Sequence, residues 1–322
     1  MLKQRDYSIS ALRGVAMCLI ISCHMMQYYN IGLAWWLNVG VQIFLVLSGY
    51  LYSSKTIEHP WKWIGCQFKK ILIPYYFFLI ISFIFYVWKV PSVSYESFGG
   101  SLLCISTVDG LGHLWFIRYI LFCYLITPIL YHLKLWLDKK SLKKSLGYLL
   151  AIWGTYILVS IPVYEDLNPI WISCYILGYY YGVFARKISA KELYHFKNIA
   201  ILGAIGINVA KIAVNHSFSI PSSGITATLF SMFHDMSHLM LGFALYIIFL
   251  KIFKGMDNMK ILSFSDHYSY EIYLVHQFFI LSPFTLMDFT AYSSLNIITV
   301  LIVIAISGII LNRLSKRIAA QL

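Results

Sequence analysis

Ten stretches of mostly apolar residues recur along the chain, at roughly 9–29, 36–54, 68–88, 114–133, 145–162, 169–185, 198–214, 234–253, 269–286 and 293–313. A helix needs about 20 such residues to cross the hydrocarbon core of a bilayer. The ninth stretch is the least regular, because it carries Glu271, His276 and Pro283 and so has the makings of a broken or re-entrant segment. Composition agrees: of 322 residues, 60% are hydrophobic and only 12% charged, against about 25% charged in an ordinary soluble domain. The sequence therefore predicts an all-α, polytopic membrane helix bundle of about ten transmembrane helices. It shows no repeat or low-complexity segment, so residues 1–322 are expected to form a single integral membrane domain.

The loops orient the bundle. With the N-terminus inside, the inner loops hold Lys55, Lys62, Lys69 and Lys70, then Lys134, Lys139, Lys140, Lys143 and Lys144. Arg186, Lys187, Lys191 and Lys197 come next, and then Lys251, Lys254 and Lys260. The two ends add Lys3, Arg5, Arg313, Lys316 and Arg317. The outer loops carry Lys89 alone, against Glu96, Asp109, Glu165, Asp166 and Asp288. That alternation is what the positive-inside rule demands, and it puts both termini in the cytoplasm. It also disposes of nucleic acid as a partner, since the net charge of +12 is spread through topology signals. Membrane lipid is the expected surrounding, in a bacterial inner or plasma membrane. The basic start before the first apolar run lacks a small-residue cleavage site, so a retained first helix is expected. Six cysteines occur without a C-x-x-C pair, mostly in apolar runs, and read as small core residues. The longest outer loop, about 89–113, contains Pro91, Gly99, Gly100, Gly110 and Gly112 and is the best candidate for an ordered cap or gate.

An ionisable side chain inside a span is costly and so a functional candidate. The first helix has two, Arg13 and His24. Eleven helical steps return to within about 20° of the starting direction and rise about 16 Å, so both face one stripe. Arg13 falls near the inner surface and His24 in the outer half. For Arg13 the alternatives are a snorkelling, topology-fixing arginine or a cation lining a polar path. For His24 they are a core histidine bonded to a carbonyl or a neutral-pH base.

The opening helix SISALRGVAMCLIISCHM, with Arg13-x10-His24, resembles that of the acyltransferase-3 family of integral membrane acyltransferases. VQIFLVLSGYLY, with Ser48 and Gly49, resembles the family's second helix, and QFKKILIPYYF its basic-then-proline entry to the third. HLWFIRYI from His113 and SYEIYLVHQFF from Ser269 resemble two later blocks, in the family's order. One departure is plain. The family often has paired arginines before that proline, whereas here Gln67 precedes Lys69 and Lys70, and lysine is a poorer phosphate fork than arginine.

The resemblance implies transfer of an acyl group, usually acetyl, from a cytoplasmic acyl-CoA to a hydroxyl of an extracytoplasmic or lipid-linked glycan. Acetyl-CoA would be a co-substrate, with no bound cofactor. Polysaccharide-biosynthesis proteins are possible partners. Arg13 and His24 would be catalytic, with His24 as general base, or less favourably as an acyl carrier. Lys69, Lys70 and Ser48 would meet the donor. The acceptor or cleft candidates are His113, Trp115, Arg118, His234, His238, Glu271 and His276.

Each of these has a plainer reading. His234 and His238 stand at i, i+4 around Asp235, a spacing able to hold a metal, but packing or a cleft role is favoured and no metal is expected. Arg118 is equally an outer-interface anchor, and Glu271 either pairs with a base or caps a helix. Trp35, Trp36, Tyr28 and Tyr29 read as an interfacial belt or as a sugar-stacking platform. The rival function is a glycan or precursor transporter or flippase, which polar residues in spans would serve as well. Repeated halves with matched broken helices, a transporter signature, are not seen.

Overall fold

The structure is a computed structural model that describes residues 6–90, 93–164, 166–218, 223–255 and 260–321. Lys3, Arg5, Pro91 and Glu165 lie outside the described residues. The described chain is helical, without strands. Its helices are α1 (Tyr7–Tyr28), α2 (Ala34–Leu37), α3 (Gly40–Tyr52), α4 (Pro60–Lys89), α5 (Tyr95–Leu102) and α6 (Trp115–Leu137). They continue as α7 (Leu142–Ser160), α8 (Pro169–Phe184), α9 (Ala190–Ser217), α10 (Gly224–Ile252), α11 (Lys260–Ile280) and α12 (Ser293–Ala319).

Eight of the ten predicted segments fall in helices long and apolar enough to cross a membrane. The other two are α8 and α11. Helix α8 has only 16 residues, about 24 Å of rise. Twelve of the sixteen are buried, so little of it meets lipid. Helix α11 is 21 residues long but starts before the apolar stretch, and it ends at Ile280, ahead of Pro283. By contrast, α7 buries only Ser145 and Ser160 and exposes Leu146, Leu150, Ile152, Leu158 and Val159, as a lipid-facing helix should.

Two compact units emerge. The first comprises Met1–Asn38, His59–Tyr124 and Gly255–Leu322. In it α1 packs on α11, α11 on α12, and α12 on α4. Asp6 caps α1, its carboxylate accepting from the Ser8 amide at 3.0 Å. Helix α4 begins on Pro60, where the missing N–H costs nothing, and carries Pro74 inside. In the turn before Pro74, the Tyr270 hydroxyl donates to the Ile71 carbonyl at 2.8 Å.

The described part of the outer loop, residues 93–113, carries α5 and a short 3-10 turn. Ser94 caps α5, and two tyrosines of α4 hold the loop at and beyond the end of that helix. Tyr75 donates to the Ser101 carbonyl and Tyr86 to that of Asp109, each at 2.6 Å. Gly110 has φ +74°, and a Cβ there would lie 2.7 Å from the Ser282 backbone, so only glycine fits. Burial pushes the Cys104 thiol of this loop above its ordinary range, which makes it a poor nucleophile. All six cysteines are free thiols.

The second unit comprises Val39–Glu58 and Leu125–Lys254. Its centre is α3 against α8, with α10 on both. Small residues let the backbones meet: a Cβ on Gly49 would lie 2.0 Å from the Tyr175 carbonyl, and one on Gly178 2.0 Å from that of Val46. The Ser48-Gly49 pair thus has a packing reason for its glycine.

Candidate active site

The first unit gathers three histidines. His24 is half-buried in the last turns of α1. Its Nδ1 lies 2.6 Å from Gln27 Oε1, one turn on. An amide oxygen only accepts, so Nδ1 carries the hydrogen and Nε2 presents the lone pair. The His276 ring of α11 stands beside it, with centroids 5.0 Å apart and planes tilted by 38°. Beyond His276 lies His113, at 4.8 Å and 70°. His276 is 0% exposed and His113 3%.

Helix α11 fixes His113 from four directions. The His113 amide donates to Gln277 Oε1 at 2.6 Å, and its ring Nδ1 meets the same oxygen at 2.5 Å. Its Nε2 meets the Leu274 carbonyl at 2.9 Å. The Tyr273 hydroxyl donates to the His113 carbonyl. The short 3-10 turn Gly112–Leu114 that bears His113 is therefore stitched to α11 through the ring and through the backbone. His276 Nδ1 donates to the carbonyl of Tyr273 at 2.5 Å, which leaves its Nε2 as a lone pair. That nitrogen is buried and has no hydrogen-bond partner among the described residues.

The first unit also holds the remaining expected site residues Arg13, Trp115, Arg118, Lys69, Lys70 and Glu271. Arg13 is half-buried on α1, on the stripe that also carries His24. Trp115 packs edge-on against Tyr119 at 5.3 Å, and the Arg118 guanidinium lies 5.4 Å from the same ring. Arg118 also donates to the Ile105 carbonyl at 3.4 Å, which ties it to the outer loop. Lys69 and Lys70 are exposed on α4. Lys70 reaches back to the buried Gln67 at 3.3 Å, so the residue standing in for an arginine is itself engaged. Glu271 accepts from Asn312 of α12 at 2.8 Å, and it is His276, five residues on, that joins the histidines.

Ser48, half-buried on α3, belongs to the second unit, as do His234 and His238 of α10. His234 Nε2 meets Asn215 Oδ1 at 2.8 Å, and Asp235 accepts from Tyr164 and Asn168. Among the described residues no group of three His, Cys, Asp or Glu side chains is arranged to hold a metal.

Sequence reasoning passed over Gln27, Tyr273, Gln277 and Lys211. The i, i+3 spacing of Gln27 from His24 was a usable signal. So was Lys211, a base within an apolar run, which is 2% exposed on α9. Gln277 gave none, because its partner His113 is 164 residues away.

The first unit thus brings together three histidine rings, one of them half-buried and hydrogen-bonded through Nδ1 to Gln27. The acyltransferase-3 family model, describing an acyltransferase domain, matches residues 6–312, nearly the whole chain. The chain belongs to this family and is a membrane acyltransferase. Neither the curated proteins nor the solved structures contain a significant match.

Proposed function

We propose that the protein is an O-acyltransferase, moving an acetyl group from cytoplasmic acetyl-CoA to a hydroxyl of an extracytoplasmic or lipid-linked glycan. The observation that carries this reading is the state of His24. With Nδ1–H held by Gln27, Nε2 keeps a lone pair that would take the proton of a sugar hydroxyl as the oxygen attacks the thioester carbon. The C–O bond of the ester forms, the C–S bond breaks, and the proton leaves His24 for the departing thiolate. Arg13, about 16 Å away along the same helix, is a fixed cation on the side from which a coenzyme A donor would enter. The basic residues at that end, including Lys69 and Lys70 of α4, suit its phosphates.

The supporting experiment removes the gene and compares the surface glycans of the two strains by mass spectrometry. Loss of an acetyl ester from a sugar, restored by the wild-type gene on a plasmid, is the expected result. An unchanged acylation pattern with a missing or mislocalised glycan would favour the transporter reading instead.

A further inference from the structure

The second unit holds a site of different chemistry. The ends of α6 and α8 and the start of α7 enclose an open cleft of about 330 Å³. That is near the lower end for small-molecule sites. Its charged lining is Asp138, Lys140 and Lys187, and its apolar lining includes Leu142, Phe184 and Ile188. Asp138, the one acidic residue of the lining, is paired with Lys187, so the cleft keeps the charge of Lys140. Lys139 of the adjoining turn and Lys143 and Lys144 of α7, all exposed, add to it. Helix α7 starts in the cleft at Leu142, and its N-cap Ser141 makes no side-chain hydrogen bond to the first-turn amides. The positive end of a 19-residue helix dipole is thus presented there. Lysines and helix terminus together favour a bound anion.

The apolar half of the lining selects among anions. A soluble phosphate would leave Leu142, Phe184 and Ile188 in contact with water, whereas a lipid covers them. From Leu142 an exposed row, Leu146 and Leu150, continues along α7 at four-residue spacing, on the helix that faces lipid. On the orientation read from loop charge, the cleft opens at the cytoplasmic surface, where anionic lipid headgroups lie. We propose that this cleft binds the headgroup of an anionic glycerophospholipid of the inner leaflet. Lys140 and Lys187 take the phosphodiester, and an acyl chain lies along Leu142, Leu146 and Leu150. The ammonium of Lys187 has three N–H donors, so it holds Asp138 and a phosphate oxygen at once. The lipid then ties the end of α8 to that of α6 through the same residue.

The test uses the full chain, purified in neutral detergent and titrated with phosphatidylglycerol or phosphatidylcholine, with bound lipid counted by native mass spectrometry. The triple variant Asp138→Asn/Lys140→Gln/Lys187→Gln removes the cleft's charges together, so that no unpaired carboxylate is left behind. Lys251→Gln, at the exposed end of α10, lowers the net charge equally without touching the cleft. Wild type and Lys251→Gln should bind phosphatidylglycerol about 10-fold or more tighter than phosphatidylcholine, and the triple variant should prefer it by about threefold at most. Equal affinity of the wild type for the two lipids, or an unchanged preference in the triple variant, overturns the proposal. Inorganic phosphate and coenzyme A, each at millimolar concentration, should leave the bound phosphatidylglycerol in place. Displacement by either would assign the cleft to a soluble phosphate and overturn the lipid. Should the triple variant not fold, wild type is irradiated with phosphatidylglycerol bearing a photoactivatable acyl chain. The label should map to α7 around Leu142, Leu146 and Leu150, and labelling confined to other helices overturns the proposal.

Discussion

At the scale of single residues, the proposed base role of His24 depends on Nε2 being the nitrogen with the lone pair. Gln27 decides that, so it is open to test. Gln27→Leu leaves the ring without its Nδ1 acceptor and lets both tautomers populate; specific transfer activity should fall about 10-fold or more, with inserted protein unchanged. Gln27→Glu, which still accepts from Nδ1, should retain most of it. Equal activity in all three proteins would show that the contact sets nothing. Arg13 is expected to act on the donor side. Arg13→Ala should raise KM for acetyl-CoA, and Arg13→Lys should rescue in part, because a lysine cannot form the planar fork. Donor kinetics unchanged in Arg13→Ala would return Arg13 to a topological role. The sequence made Arg13 and His24 visible because charge in an apolar run stands out. It could not show that His276 and His113 join His24, since 252 residues separate His24 from His276 and chain periodicity carries no information over that span.

Among the elements, α5 with its Ser94 N-cap lies in the glycine-bearing outer loop and had no apolar run to announce it. The span positions were legible, because apolar length is a property of the chain itself. Burial within a unit was not. Helix α8 is short and nearly enclosed, whereas α7 beside it in sequence is almost wholly exposed, although both read as plain apolar runs. The start of α8 is set by Pro169 in its first turn and by the Asn168 side chain, which accepts from the Ile170 amide at 2.9 Å. Whether 16 residues cross decides the sidedness of every later loop. Single cysteines at Asp166 and Lys191, both exposed, flank it. In a background lacking the native cysteines, an impermeant maleimide applied outside should label Asp166→Cys and spare Lys191→Cys. Labelling of both, or of neither, would contradict a crossing at α8 and the ten-span arrangement with it.

For the whole molecule, class and family were within reach of the sequence because each is written in long-range pattern: hydropathy, loop charge, and blocks in a fixed order. The match over residues 6–312 makes the chain a membrane acyltransferase. The division into two units, with α3 assigned apart from α1 and α4, has no counterpart in the sequence, since it reflects which glycine-lined faces meet. The central claim is that His24 is the base for acyl transfer to a glycan hydroxyl. Its direct measurement is the alkali-labile acetyl label passed from labelled acetyl-CoA to glycan in membranes bearing wild type or His24→Gln, normalised to correctly inserted protein. A positioned base contributes about 10²- to 10⁴-fold, and glutamine cannot take the proton at neutral pH, so label in the variant should fall by at least the lower figure. Wild-type labelling by His24→Gln at equal inserted protein would contradict the claim.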